Sequence, residues 1–169
     1  MVPTRNNRMW FQGDEVGTFY GQCAEFCGTA HALMKFRVHV LSEADYMNWV
    51  NNYGQPPGTD EALSGTARKG QDIFMSSGAC LACHTIEGVP GAMGVIGPNL
   101  TGLGNKQTFA SGIMDLNREN LRRWLKNPND VKPGNRMSEQ APIYQTADGN
   151  ISLTEKEVSA LIEYLLSLK

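Results

Sequence analysis

The run Cys80-Leu-Ala-Cys83-His84 constrains this chain more than any other five residues. Two thiols at this spacing can add to the two vinyl groups of one haem, and the imidazole that follows is then held beneath the iron as proximal ligand. The same residues also suit a disulfide, a dithiol redox pair or half of a zinc site. A redox pair of this form belongs beside a parallel sheet, whereas the flanking sequence reads as helix. A zinc site needs further ligands, and residues 85–169 contain no Cys or His. The motif therefore favours covalent haem.

The sequence around it fits a small helical domain over 64–169. Ser64 is placed to cap a helix through about Ser76, with Ala67, Gly70, Ile73 and Phe74 near one face. Asn117 caps a second, which carries Leu121, Trp124 and Leu125 and must stop before Pro128. Thr154 and Glu157 form a capping box with Leu153 as staple. Val158, Leu161, Ile162, Leu165 and Leu168 then mark an apolar stripe. Between these helices, 87–104 and 127–150 read as long Gly- and Pro-rich loops, which are uncommon unless a ligand organises them. His84 needs its second ring nitrogen fixed, and a backbone carbonyl within Gly97-Pro98-Asn99-Leu100 is the natural acceptor. With no second His here, the sixth iron ligand is a Met or absent. Met93, Met114 and Met137 are candidates, and Met137 is favoured by its place in a proline-braced loop before the last helix.

A second dense cluster is Cys23-Ala-Glu25-Phe-Cys27-Gly-Thr-Ala-His31-Ala-Leu-Met34. Two thiols, an imidazole and a thioether form the soft donor set that copper prefers. The alternatives are a Cys23–Cys27 disulfide, or a metal stripe of Cys23, Cys27 and His31 along one helix. Donor counting leaves the three open. Around the cluster, 18–22 and 34–41 have strand character, with Phe36, Val38 and Val40 alternating with Lys35, Arg37 and His39. Ser42 caps a short helix bearing Tyr46, Trp49 and Val50. Fifty residues of this kind make a thin core. The segment 53–63, with Pro56, Pro57 and three glycine or threonine neighbours, reads as a linker.

Composition removes other classes. At 169 residues the chain has room for one domain and a small second piece. With 41% apolar and 19% charged residues it is globular rather than disordered. A formal charge of −2 gives no basic surface for nucleic acid, and no nucleic-acid partner is expected. No apolar run approaches the roughly 18 residues of a membrane span, and residues 1–7 lack a signal core.

Over 64–169 the sequence resembles a class I cytochrome c domain. It has a first helix with Gly70 and Phe74, the motif from Cys80 to His84, then Pro98 and Met137 ahead of a last helix. The resemblance implies crossed terminal helices, haem c on Cys80 and Cys83, and axial ligation by His84 and Met137, with Pro98 supporting His84. Such a pair raises the potential and suits electron transfer. Trp124 would then pack near a haem edge and Arg122 or Arg123 near the propionates. Plain core packing and a solvated face are equally open for these three.

Residues 1–52 resemble the C-terminal part of the cupredoxin-like copper domain of cytochrome c oxidase subunit II. The spacing C-x-E-x-C-x-x-x-H-x-x-M carries that likeness, together with Asn7-Arg-Met-Trp-Phe11 and the flanking strands. It implies a dinuclear copper centre with bridging Cys23 and Cys27, the backbone carbonyl of Glu25, His31 and Met34. The set is incomplete, because the family's second His lies upstream and residues 1–22 contain none. His39, on a strand position, is not its replacement.

Together these imply a partial all-β cupredoxin-like segment (1–52), a linker (53–63) and a mainly α cytochrome c domain (64–169), resembling subunit II of caa-type oxidases. The resemblance implies an electron-carrying part of an oxidoreductase. By the same resemblance it would lie on the extracytoplasmic face of the bacterial cytoplasmic membrane and would work with oxidase subunit I and an upstream donor. Contact with the membrane would run through N-terminal helices beyond this sequence, so the chain is expected to be part of a longer protein. A free-standing monohaem shuttle cytochrome, or a zinc- or disulfide-stabilised module, are the alternative readings.

Overall fold

A computed structural model describes residue 6 and residues 8–53 and 63–169. Most of the linker, 54–62, lies outside the described residues, as does Asn7 of the flanking run.

Helices dominate 63–169. Ser64 caps α2 (Gly65–Met75) by accepting from Ala67 N–H, following an earlier helix α1 (Glu43–Asn52). Asn117 caps α3 (Arg118–Lys126) and Thr154 caps α6 (Glu155–Ser167), the latter with both halves of its capping box formed. Two short helices, α4 (Pro128–Val131) and α5 (Arg136–Gln140), lie between them. The irregular loop expected over 127–150 is therefore broken into turns. Pro128 cannot extend α3, but it suits a helix start, and Asn127 and Asn135 cap the two new helices with their side chains. Met137 thus stands in the first turn of α5 and not in an open loop.

The core follows from the crossing of α2 and α6. A Cβ on Gly70 would fall onto the carbonyl oxygen of Ala160 and 2.7 Å from Tyr164 Cβ, so only glycine lets the two backbones approach. One turn further, the rings of Phe74 and Tyr164 meet edge to face at 5.7 Å. Leu121 and Leu125 of α3 join Phe74, Leu161, Ile162 and Leu165 in one cluster. Leu168 is tied in by its carbonyl, which accepts from Gly104 N–H at 2.6 Å. Each fully buried side chain of this size contributes about 1.5–3 kcal/mol, which puts the stability of the chain in this region. Arg118 grips Glu163 and Arg122 grips Glu155 on the surface, where such pairs add little.

The N-terminal region has no such core. Strands β1 (Gly17–Gln22) and β2 (Lys35–Val40) form an antiparallel hairpin pairing Gly17 with Val40 and Gln22 with Lys35. No residue of 8–53 is buried. The expected alternation on β2 is correspondingly weak, with Phe36 54% exposed, and Tyr46, Trp49 and Val50 of α1 are exposed as well. A two-stranded hairpin has only one neighbour for each strand and cannot cover its own side chains. A second small hairpin, β3 (Thr108–Phe109) and β4 (Met114–Asp115), belongs to the helical region.

Gly70→Ala is expected to destabilise the protein by about 3 kcal/mol or more, because a methyl group must push α6 off α2. The guanidinium midpoint of the matured protein measures this. An unchanged midpoint would contradict the close crossing.

Candidate functional site: a thiol-imidazole-thioether cavity and a soft-donor loop

Immediately after α2 the chain turns sharply. Ala79 takes a left-handed conformation (φ 49°), Cys80–Ala82 form one 3-10 turn, and His84 N–H donates to Cys80 O at 2.9 Å. His84 Nδ1 lies 2.8 Å from Pro98 O. A carbonyl can only accept, so Nδ1 carries the proton and Nε2 keeps its lone pair. Gly97 makes the contact possible, since a Cβ there would sit 2.5 Å from His84 Cε1. The loop is pinned on either side by Gly97 N–H to Cys83 O (2.7 Å) and Leu100 N–H to Thr85 O (2.9 Å). Burial lowers the His84 pKa, opposed by the Pro98 hydrogen bond, so the ring is neutral and able to ligate.

Cys80, Cys83, His84, Gly97 and Pro98 line a cavity of about 600 Å³ together with Trp124, Met137 and Arg136. That volume lies within the range of cofactor sites. Of the three candidate methionines only Met137 is on its wall. Met114 is buried in β4, and Met93 is 79% exposed. Trp124 packs edge to face on Phe109 at 5.9 Å, so it is both core and cavity wall. Arg122 is drawn away to Glu155 and Ser159 and does not line the cavity, contrary to one of the expectations for it. Lys106, Lys132 and Arg136 are the cations that do. Their sequence signal was slight, because single basic residues in loops look like solvated ones. Burial pushes the Cys80 thiol up to about 12. A protonated, buried thiol fits a residue whose bonded form is an uncharged thioether. The cavity, its soft donors and the neutral histidine fit a haem.

The second site is built at the open end of the β1–β2 hairpin. Cys23 N–H donates to Met34 O at 2.8 Å and closes the loop at its base. Gly28 (φ 123°) turns it, and His31–Leu33 add a 3-10 turn. No helix runs through 23–30, so the metal stripe along one helix is excluded. Cys23 and Cys27 are free thiols with their sulfurs 3.4 Å apart. Around them stand Glu25 O (3.1 Å from Cys23 Sγ), His31 Nδ1 (3.6 Å from Cys27 Sγ) and Met34 Sδ (3.7 Å from Cys27 Sγ). All five residues singled out in the sequence are thus brought together, and the donor set fits a soft metal such as copper. His39 is elsewhere, with Nδ1 2.9 Å from Thr18 Oγ1. The Cys27 pKa is raised, chiefly by the Cys23 hydrogen bond, with burial and the Cys23 charge adding to it.

Comparison with known proteins now bears on both sites. The family described as cytochrome c matches residues 67–169. The chain belongs to the cytochrome c family. Residues 1–41 match the periplasmic domain of cytochrome c oxidase subunit II. "Cytochrome c oxidase subunit 2" of Alkalihalophilus pseudofirmus is 36% identical over 99% of this chain, and that of Bacillus sp. strain PS3 is 38% identical over 96%. The Bacillus subtilis protein of the same name is 35% identical over 89%. The chain spans 44%, 44% and 39% of these relatives. The order of the two matches, a subunit II segment followed by a cytochrome c domain, is that of caa-type subunit II. In this cytochrome the helical region and the short β region ahead of it agree with the expected fold class. Among the described residues no helix is long and apolar enough to cross a membrane.

Because the Cys27 thiol is held protonated, a soft cation binding the loop must displace a proton. Cu(I) or Cd²⁺ titrated into the protein is therefore expected to bind more tightly as pH rises, by about tenfold per pH unit for each proton displaced. Sulfur-to-metal absorption reads the binding, and a pH-independent affinity would contradict thiolate ligation.

Proposed function

We propose that the chain is the electron-carrying part of a caa-type cytochrome c oxidase subunit II. It would take electrons from an external donor and pass them towards the oxygen-reducing subunit, on the extracytoplasmic side of the membrane. Residues 1–52 are the end of the copper domain, 53–63 the linker and 64–169 the cytochrome c domain. The observation that carries this reading is a cavity walled by two thiols, a neutral histidine and a thioether.

Cys80 and Cys83 would hold haem c by two thioethers, with His84 and Met137 as its iron ligands; haem bound there would supply a one-electron ferric/ferrous couple. The chain's own contribution is orientation and exclusion of water. Pro98 O fixes the His84 ring and its tautomer, which leaves Nε2 as the ligating atom. Phe74, Leu121 and Leu161 close the apolar wall, and a low-dielectric wall disfavours the extra positive charge of the ferric state. Cys23, Cys27, Glu25 O, His31 and Met34 would hold copper, a second one-electron site. The alternative of a free shuttle cytochrome has less support, since the soft donors converge on one point and the subunit II match includes them.

The test is a redox titration of the matured protein followed in the visible and near-infrared. A reversible one-electron haem transition is expected. Met137→Ala is expected to keep its haem, become high spin and fall in potential. An unchanged Met137→Ala spectrum would remove Met137 as ligand. A wild-type protein with no reversible transition would overturn the electron-transfer reading.

A further inference from the structure

The two sites are not merely tethered, because the soft-donor loop rests on the cavity wall. The tip of the β3–β4 hairpin is Ala110, Ser111 and Gly112, at φ 51°, 61° and 70°. Non-glycine residues seldom adopt that conformation, so the turn is held by its surroundings. Its carbonyls are aimed at β2. Lys35 N–H donates to Ser111 O at 3.1 Å, and Arg37 Nη2 donates to Gly112 O at 2.9 Å. A Cβ on Gly112 would stand 3.5 Å from the Lys35 carbonyl. A second contact lies at Gly134, where a Cβ would be 3.3 Å from Thr29 Cβ. Lys132 Nζ donates to Ser111 Oγ at 2.6 Å and ties the two contacts together. Ser111, Gly112 and Lys132 all line the cavity. Thr29 lies between Cys27 and His31, and Lys35 directly follows Met34.

We propose that the Ser111–Gly112 turn is a docking seat within the chain, which holds the loop 23–34 against the cavity wall. One hydrogen bond, Lys35 N–H to Ser111 O, then links the residue after Met34 to that wall. The loading of both sites rests on the proposed function, whereas the seat itself does not. With the seat formed, proximity is set by the contact and not by linker length. One electron crossing there requires no bond to break and no proton to move at the seat, and the external donor replaces it.

The experiment compares amide hydrogen exchange and internal electron-transfer rate in the matured full chain with those in Arg37→Ala and Lys35→Pro. Lys35 N–H is expected to be protected, and to lose protection roughly tenfold in Arg37→Ala, as one charge-assisted hydrogen bond leaves the docking equilibrium. Cys23 N–H, bonded inside the hairpin, stays protected in all three and reports that the hairpin is folded. The rate from ferrous haem to copper is expected to fall by a similar factor in both variants with the visible spectrum unchanged. Lys35 N–H exchanging at the rate of an open amide in the wild type, while Cys23 remains protected, would overturn the seat. So would equal rates in all three proteins. Failure of the wild type to take up copper would count against the copper assignment alone, and the exchange comparison would still decide the seat.

Discussion

The hydrogen bond between His84 Nδ1 and Pro98 O sets the chemistry of the helical region. It converts an ambidentate ring into one with a defined free nitrogen, and burial keeps that ring uncharged. The bond exists only because the 94–100 segment passes directly over the imidazole, which requires a residue without Cβ at 97. That segment is in turn held by Cys83 O and Thr85 O, so the motif fixes its own lid. A histidine so confined has one remaining use, as a ligand to whatever fills the cavity.

The cavity explains why the rest of the domain is arranged as it is. The space is largely apolar and measures about 600 Å³, a size and lining suited to a large apolar cofactor. The helices supply the walls. The α2–α6 crossing at Gly70 places Phe74 and Leu165 on one side, while α3 contributes Trp124 and Leu125. The short helices α4 and α5 carry Met137 and Arg136 to the same space. The N-terminal hairpin contributes nothing to this core and instead leans on its outside.

Much of this was legible in the sequence, for identifiable reasons. Helix caps at Ser64, Asn117 and Thr154 are local side-chain-to-backbone bonds, and local signals survive without tertiary knowledge. The convergence of Cys23, Cys27, His31 and Met34 was readable because one loop contains them all. Less legible were features set by packing. The helices α4 and α5 are only four and five residues long, and their local signals, Asn127 with Pro128 and Asn135, look the same as those of a turn. Residue type alone pointed to Arg122 or Arg123, whereas Arg122 turns to Glu155 and Ser159 and it is Arg136, on a different helix, that lines the cavity. The contact of Arg37 with Gly112, 75 residues apart, had no sequence signature at all.

The electron-transfer role proposed for 64–169 depends on a porphyrin joined to the chain through the two sulfurs of Cys80 and Cys83. The most direct measurement is the intact mass of protein made in a host able to mature c-type cytochromes, taken after denaturation and extraction with acidified organic solvent. The account predicts the polypeptide mass plus one haem, retained through that extraction. Recovery of the bare polypeptide mass, with both cysteines free to alkylate, would contradict it.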